Sequence, residues 1–162
     1  MIRPATAADA AAIAAIWNHV IRETVATFNS TEKPVAEVAA LITSRPKAGH
    51  CFLVAESAAG VVGFVTYDQF RGGSGYRLTM EHTIQLAPEA AGHGLGRALM
   101  AAMEDHARQA GVHVMMAGVA GENTAGKAFH AALGYQLVGS LPQVGYKFGR
   151  YMDLWLMQKI LS

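Results

Sequence analysis

Apolar positions along this chain follow two periods, and the switches between them divide the sequence into elements. Ile2 to Ala5 reads as a short strand. Thr6 or Asp9 can cap a helix running to about Thr24, in which Ile13, Ile16, Trp17, Val20 and Ile21 recur at helical spacing. Thr27 to Lys33 is polar and turn-like, and Pro34 opens a second amphipathic helix through Val35, Val38, Leu41 and Ile42. Cys51 to Glu56 and Val61 to Asp68 are β-rich runs separated by Ser57-Ala58-Ala59-Gly60, the pattern of a hairpin. Tyr76 to Leu86 gives the next strand, after a loop, Arg71-Gly72-Gly73-Ser74-Gly75, too glycine-rich to pack by itself. Gly94 to Ala110 reads as a helix with Leu95, Leu99, Ala102, Met103 and His106 on one stripe, leaving Glu104, Asp105 and Arg108 to water. Val112 to Val119 is an unbroken apolar run, as expected of a buried strand parallel to the one before that helix. Asn123 to Leu133 is a shorter helix ended by Gly134, and Tyr135 to Leu141 and Met152 to Ile160 read as closing strands around a Pro142-Gln143-Val144-Gly145 turn region and Gly149. The order is βααβββαβαββ, an α/β chain without internal repeat or linker.

Between the strand ending at Leu86 and the helix from Leu95 sits Gly92-His93-Gly94-Leu95-Gly96-Arg97. Glycines there let successive amide N–H groups point into one concavity with no Cβ in the way, and such a nest binds anions, phosphate above all. Arg97 in the first helical turn opposes the positive end of the helix dipole unless an anion is bound there. A nucleotide P-loop would need Gly-Lys-Ser/Thr, which does not follow Gly96, and the dinucleotide fingerprint has a different glycine spacing and opens the first βα unit. By spacing alone the cluster reads equally as a flexible loop after Pro88.

Composition narrows the classes. At 162 residues the chain reads as one domain, residues 1–162, and with 52% hydrophobic and 15% charged residues it can bury a substantial core. No apolar run approaches the length of a membrane span. A formal charge of +1 gives no global basic field, which argues against nucleic acid or an anionic membrane as the main partner. The single Cys51 permits no intramolecular disulfide, and the N-terminus lacks a basic region followed by a cleavable apolar stretch, so a cytoplasmic location is expected.

The element order, with the glycine turn between the fourth strand and third helix, resembles the GCN5-related N-acetyltransferase superfamily over nearly the whole chain. The resemblance implies a single-domain acetyltransferase fold with a mixed, centrally splayed sheet. The superfamily's acetyl-CoA loop, Gln/Arg-x-x-Gly-x-Gly/Ala, falls on Ala91, Gly94 and Gly96; Ala91 departs from the pattern, while a backbone nest from Gly92 to Arg97 needs no side chain at that position. A second signature, Asn followed seven residues later by Tyr or His and then Leu-Gly-Phe/Tyr, fits Asn123, His130 and Leu133-Gly134-Tyr135.

Closer resemblance is to the phosphinothricin and methionine-sulfone acetyltransferase subgroup. It is carried by Trp17-Asn18-His19, Glu81-His82-Thr83, Phe129 to Tyr135 and the segment from Pro142 to Leu154. It implies acetyl-CoA as donor, no metal, the α-amine of a small amino-acid analogue (phosphinothricin, methionine sulfone or methionine sulfoximine type) as acceptor, and a homodimer. By the same resemblance the pyrophosphate lies on Gly92, His93, Gly94, Leu95, Gly96 and Arg97, the pantetheine pairs with the backbone of Ile84, Gln85 and Leu86, and Asn123 contacts the cofactor. Substrate residues fall on Phe28 as an aromatic wall, on Arg71, Gly72, Gly73 and Tyr76, and on Glu81, His82 and Thr83. Gly73 replaces an arginine or bulky aromatic common in the subgroup, implying a roomier or differently polar pocket.

The residues also carry plainer readings. Glu81 alternates with Arg77, Thr79, Thr83 and Gln85 on one strand face, which alone reads as a solvated face; in a sheet covered on both sides, a polar face must instead line a cleft or be paired. An α-amino group, with a pKa of about 8, must lose a proton before attacking a thioester, and Glu81 is the first candidate to accept it. His82, on the apolar face, reads better as a hydrogen-bonded core histidine than as a rival base. His130 reads equally as a packed histidine beside Phe129 and Leu133; the resemblance makes it a protonator of the departing thiolate or a supporting base. Asn123 fits a helix cap, and Arg71 can clamp a carboxylate or simply be solvated. Lys147 and Arg150 read as charges that solubilise the C-terminal turn, while the resemblance implies a structured loop near the active site or a dimer contact; direct transfer leaves Cys51 dispensable. The alternatives to a small acceptor are a protein or peptide N-acetyltransferase with an open groove, and a non-catalytic acyl-CoA-binding module.

Overall fold

The computed structural model describes residues 1–162. Seven strands form one sheet: β1 (Ile2–Pro4), β2 (Phe52–Ser57), β3 (Gly60–Gln69), β4 (Thr79–Leu86), β5 (Val114–Ala120), β6 (Gln136–Lys147) and β7 (Arg150–Ile160). Their spatial order is β1-β2-β3-β4-β5-β7-β6. The β4–β5 pair is parallel, as a helical crossover requires, and all others are antiparallel, so the sheet is mixed.

Four helices cover the sheet: α1 (Ala10–Glu23), α2 (Val35–Lys47), α3 (Leu95–Gln109) and α4 (Thr124–Ala132). Alternation along β3 divides them between faces. Phe64 meets Trp17 of α1 with ring centroids 4.8 Å apart. Tyr67, on the opposite face, has its hydroxyl 2.9 Å from Nδ1 of His106 on α3. The fully buried side chains come from both layers, among them Ile13, Ile21, Phe64, Tyr67, Leu99, Met103 and Met115. At the start of the first helical segment, the Asp9 carboxylate takes the backbone N–H of Thr6 at 2.8 Å, so the local cap anticipated at these residues forms.

Three readings of the pattern need correction. The strand placed at Tyr76–Leu86 begins only at Thr79, because Ser74–Tyr76 coils into a single helical turn. The Pro142–Gly145 stretch is no turn: it is a bulge within β6, where the register with β7 slips between Leu141 and Gly145, and the chain reverses only at Phe148-Gly149, the other place where a glycine marks a turn. Proline and glycine mark a break in the ladder, and a bulge satisfies that as well as a reversal does. Glu104 does not face water. It is buried, takes the Tyr135 hydroxyl at 3.1 Å and pairs with Lys159 Nζ at 2.7 Å.

Candidate active site

β4 and β5 are paired only at Thr79–Val114, Met80–Met115 and Glu81–Met116. Beyond Glu81 the strands run on to Leu86 and Ala120 without meeting, while β4 stays paired to β3 through Leu86. The sheet therefore splays at Glu81, and the main-chain groups of residues 82–86 that face β5 are left without a strand partner. The resulting cleft of about 670 Å³ is walled by His82–Leu86, Ala117–Ala120 and residues of α4, and at its other end by Trp17, Phe28, Arg45 and Asp68.

Glu81 occupies the apex of the splay. Its side chain is only partly exposed, and burial pushes its carboxyl above the ordinary carboxylate range. Gly118 on β5 makes room for it: a Cβ at that glycine would stand 2.9 Å from Glu81 Oε2. Asp68 is its register partner across β3 and β4, so the two carboxyl groups share the α1 face.

His82 projects to the opposite face, where its Nε2 lies 2.9 Å from Nε2 of His130 on α4. The direction of this hydrogen bond follows from the other side of His130. Its Nδ1 is 2.8 Å from the Gly126 carbonyl, which can only accept, so Nδ1 carries the proton. In the neutral ring Nε2 is then the acceptor, and His82 Nε2–H donates to it. His82 Nδ1 is buried and makes no hydrogen bond. Burial pushes both histidines below their ordinary range, and His130 adds to the shift at His82, so the pair is neutral at physiological pH.

At the glycine turn, Gly92 has φ 81° and Gly94 φ 78° as the residue preceding α3, and a Cβ added at either would meet nothing within 4 Å. The first turn of α3 carries no acidic residue, and Arg97 is exposed beside it. Unpartnered N–H groups, open space and a nearby cation fit an anion such as a pyrophosphate. Gly96 serves helix packing instead. Its Cβ would lie 3.2–3.3 Å from the Phe129 ring, so the lack of one lets α3 approach α4. Asn123 caps α4, its Oδ1 accepting the Gly126 N–H at 2.9 Å.

Of the candidate residues, Phe28, Glu81, His82, Thr83, Ile84, Gln85, Leu86, Gly96, Asn123 and His130 converge on the cleft. Gly92, His93, Gly94, Leu95 and Arg97 stand beyond its walls, at the N-terminal end of α3 that Gly96 brings against it. Arg71, Gly72, Gly73 and Tyr76 lie outside the cleft in an exposed loop. Arg71 rests over the Tyr76 ring at 5.7 Å, and the Gln69 amide pins the loop by donating to the carbonyls of Arg71 at 2.7 Å and Gly73 at 2.8 Å.

Several contributors escape a reading of the sequence. Arg45 and Asp68 line the cleft, and Gly118 clears space for Glu81. Gly118 does leave a signal, a lone glycine inside an apolar strand run, which marks a close approach. Lys147 is 3% exposed and donates to the Thr24 and Thr27 carbonyls at 2.7 and 2.8 Å, tying β6 to the segment that carries Phe28. Phe28 in turn packs on Gly145, where a Cβ would come within 2.5–2.6 Å of its ring. Arg150 remains at the surface, paired with Glu122 at 2.6 Å.

The splay, the glycine turn and the Asn123–Tyr135 segment coincide with a family pattern. The family model "Acetyltransferase (GNAT) domain" matches residues 2–156. The chain belongs to the GNAT acetyltransferase family. Among curated members, this GNAT chain is 40% identical to the L-amino acid N-acyltransferase MnaT of Escherichia coli (strain K12), over 97% of this chain and 91% of that one. It is 39% identical to an L-methionine sulfoximine/L-methionine sulfone acetyltransferase of Salmonella typhimurium, over 97% and 92% of the two chains. Among solved structures, an acetyltransferase from Salmonella typhimurium with its cofactor acetyl-CoA superposes with a TM-score of 0.96 at 38% identity, covering 100% of this chain and 94% of the other. In this GNAT chain no helix is long and apolar enough to cross a membrane, and no three His, Cys, Asp or Glu side chains gather as a metal site.

Proposed function

We propose that this chain moves the acetyl group of acetyl-CoA to the α-amine of a small amino acid or analogue of the methionine sulfone, methionine sulfoximine or phosphinothricin type. The observation that carries the reading is the position of Glu81, a partly buried carboxyl with a raised pKa at the point where β4 and β5 part. The N–H groups of residues 92–97 with Arg97 would hold the pyrophosphate, the free main chain of Ile84–Leu86 the pantetheine, and Asn123 would lie beside them. Bound there, acetyl-CoA supplies an acetyl thioester.

Glu81 takes the proton from the acceptor ammonium, and its raised pKa brings it nearer to the amine it must deprotonate. Thr83 follows on the same strand face, and Phe28 walls the acceptor end. His130 holds no free N–H while the histidine pair is neutral, because Nδ1–H is committed to Gly126 and Nε2 accepts from His82. A protonator role for His130 therefore requires the pair to gain a proton or break its mutual bond. We place the enzyme in the cytoplasm, consistent with a buried thiol at Cys51, and as a homodimer, consistent with the exposed Val144, Tyr146, Phe148 and Tyr151 on the β6–β7 hairpin.

A thiol-release assay with acetyl-CoA tests the reading against methionine sulfone, methionine sulfoximine, phosphinothricin, ordinary amino acids and N-terminal peptides. Turnover with the free amino acids or analogues is expected. Turnover confined to peptides would replace the reading with a peptide N-acetyltransferase, and thermal protection by acetyl-CoA without any turnover would replace it with an acyl-CoA-binding module.

A further inference from the structure

We infer that Arg45 is the cation that receives the acceptor's carboxylate, and that the acceptor end of the cleft is a site for an amino-acid zwitterion. This rests on the amino-acid reading above. Arg45 is the one Lys or Arg side chain among the walls of the cleft. It sits in the last turn of α2, where a cation is favoured, and its side chain is only 17% exposed.

A guanidinium on the wall of a cleft, with most of its side chain packed away, offers its donors to whatever anion enters. This one makes no hydrogen bond to the rest of the protein. Its one charged partner is Asp68 at 3.8 Å, beyond hydrogen-bond reach, and that carboxylate is 59% exposed; His50 Nδ1 lies 3.3 Å from it without a hydrogen bond. The planar fork of Arg45 is thus left to an anion not supplied by the protein, and a carboxylate matches its geometry.

The charges around it complete the pattern. Asp68 and Glu81 are direct partners across β3 and β4, so two carboxyl groups and one guanidinium face the same end of the cleft. An ammonium group beside Glu81 with a carboxylate on Arg45 is the complement of an α-amino acid, whose two charged groups are separated by a single carbon. Arg71, the arginine suggested by sequence, is exposed, outside the cleft and held over Tyr76.

The test compares kcat/KM for methionine sulfone and for its decarboxylated amine, 3-(methylsulfonyl)propylamine, in the full-length enzyme. The wild type should prefer the acid, and Arg45→Met should shrink that preference by about 10- to 100-fold, through KM, as expected for losing a charge-assisted hydrogen-bonded pair. Arg45→Lys, which keeps the charge and loses the fork, should lose part of the preference and guards against a folding failure of the Met variant. Arg71→Met should leave the preference in place. An undiminished preference in the folded Arg45 variants, or its loss in Arg71→Met instead, overturns the inference. If the wild type acetylates neither compound, the functional reading fails on its own. Calorimetric binding of methionine sulfone to the coenzyme A-loaded protein then decides the carboxylate site: weaker binding by Arg45→Met supports it, and equal or absent binding overturns it.

Discussion

The two ends of the cleft are built from different materials. At the end proposed for the donor, β4, the glycine turn and the start of α3 are continuous in sequence and offer mostly main chain: the free edge of residues 82–86 and the amides at Gly92 and Gly94. At the end proposed for the acceptor, side chains converge from separate segments: Phe28, Arg45, Asp68, Glu81 and the Gly145 that Phe28 packs upon. Main-chain recognition depends on local conformation and so writes a pattern into neighbouring residues. Side-chain convergence depends on packing between distant elements, held here by ties such as Lys147 to the Thr24 and Thr27 carbonyls.

The largest effect should come from the residue where the ends meet. Glu81→Gln is expected to lower kcat at neutral pH by about 10²- to 10⁴-fold while leaving the KM for acetyl-CoA within about twofold. Because the Glu81 pKa is raised, the basic form prevails above that value, and wild-type kcat/KM should fall as pH drops through it. An acid limb that survives unchanged in Glu81→Gln would assign the titration to another group.

Gly145→Val should act on the acceptor end alone. Its Cβ would stand within 2.6 Å of the Phe28 ring, so Phe28 must move, and the acceptor KM should rise by about 10-fold or more with the acetyl-CoA KM unaltered. Steady-state kinetics with each substrate varied would show whether the two constants separate. Gly94→Val is the mirror case: at φ 78° a β-branched residue is strained, and the acetyl-CoA KM should rise by about 5- to 30-fold while the acceptor KM holds. Equal changes in both constants for either variant would erase the division between the ends.

The smallest effect is expected at Cys51, which belongs to neither end. It is buried, and burial pushes its thiol up to about 12, so it is no nucleophile at neutral pH. Cys51→Ala should keep kcat within about twofold and cost about 1 kcal/mol in a denaturant titration.

The same division explains what can be read from the sequence. Helical and strand periods locate every main element, since each buries a face with its own repeat. The glycine turn and the Asn123–Tyr135 segment are legible because their conformation is local: left-handed glycines before α3, and an asparagine cap that opens α4. Glu104 reads as a solvent-facing residue because its partners, Tyr135 and Lys159, arrive from 31 and 55 residues away. Arg45 and Lys147 are opaque for the same reason: an arginine or lysine near a helix end or hairpin looks solvated until packing encloses it. The Pro142–Gly145 bulge reads as a turn because both use the same residues.

The central claim is that main-chain amides of the glycine turn grip the donor's diphosphate. Titrating coenzyme A into isotopically labelled protein and following backbone amide resonances tests it most directly. The amides of Gly92, Gly94, Leu95, Gly96 and Arg97 should show the largest shifts and gain protection from exchange, with affinity weakening as salt rises. Saturable binding that leaves those five amides unmoved would contradict the account.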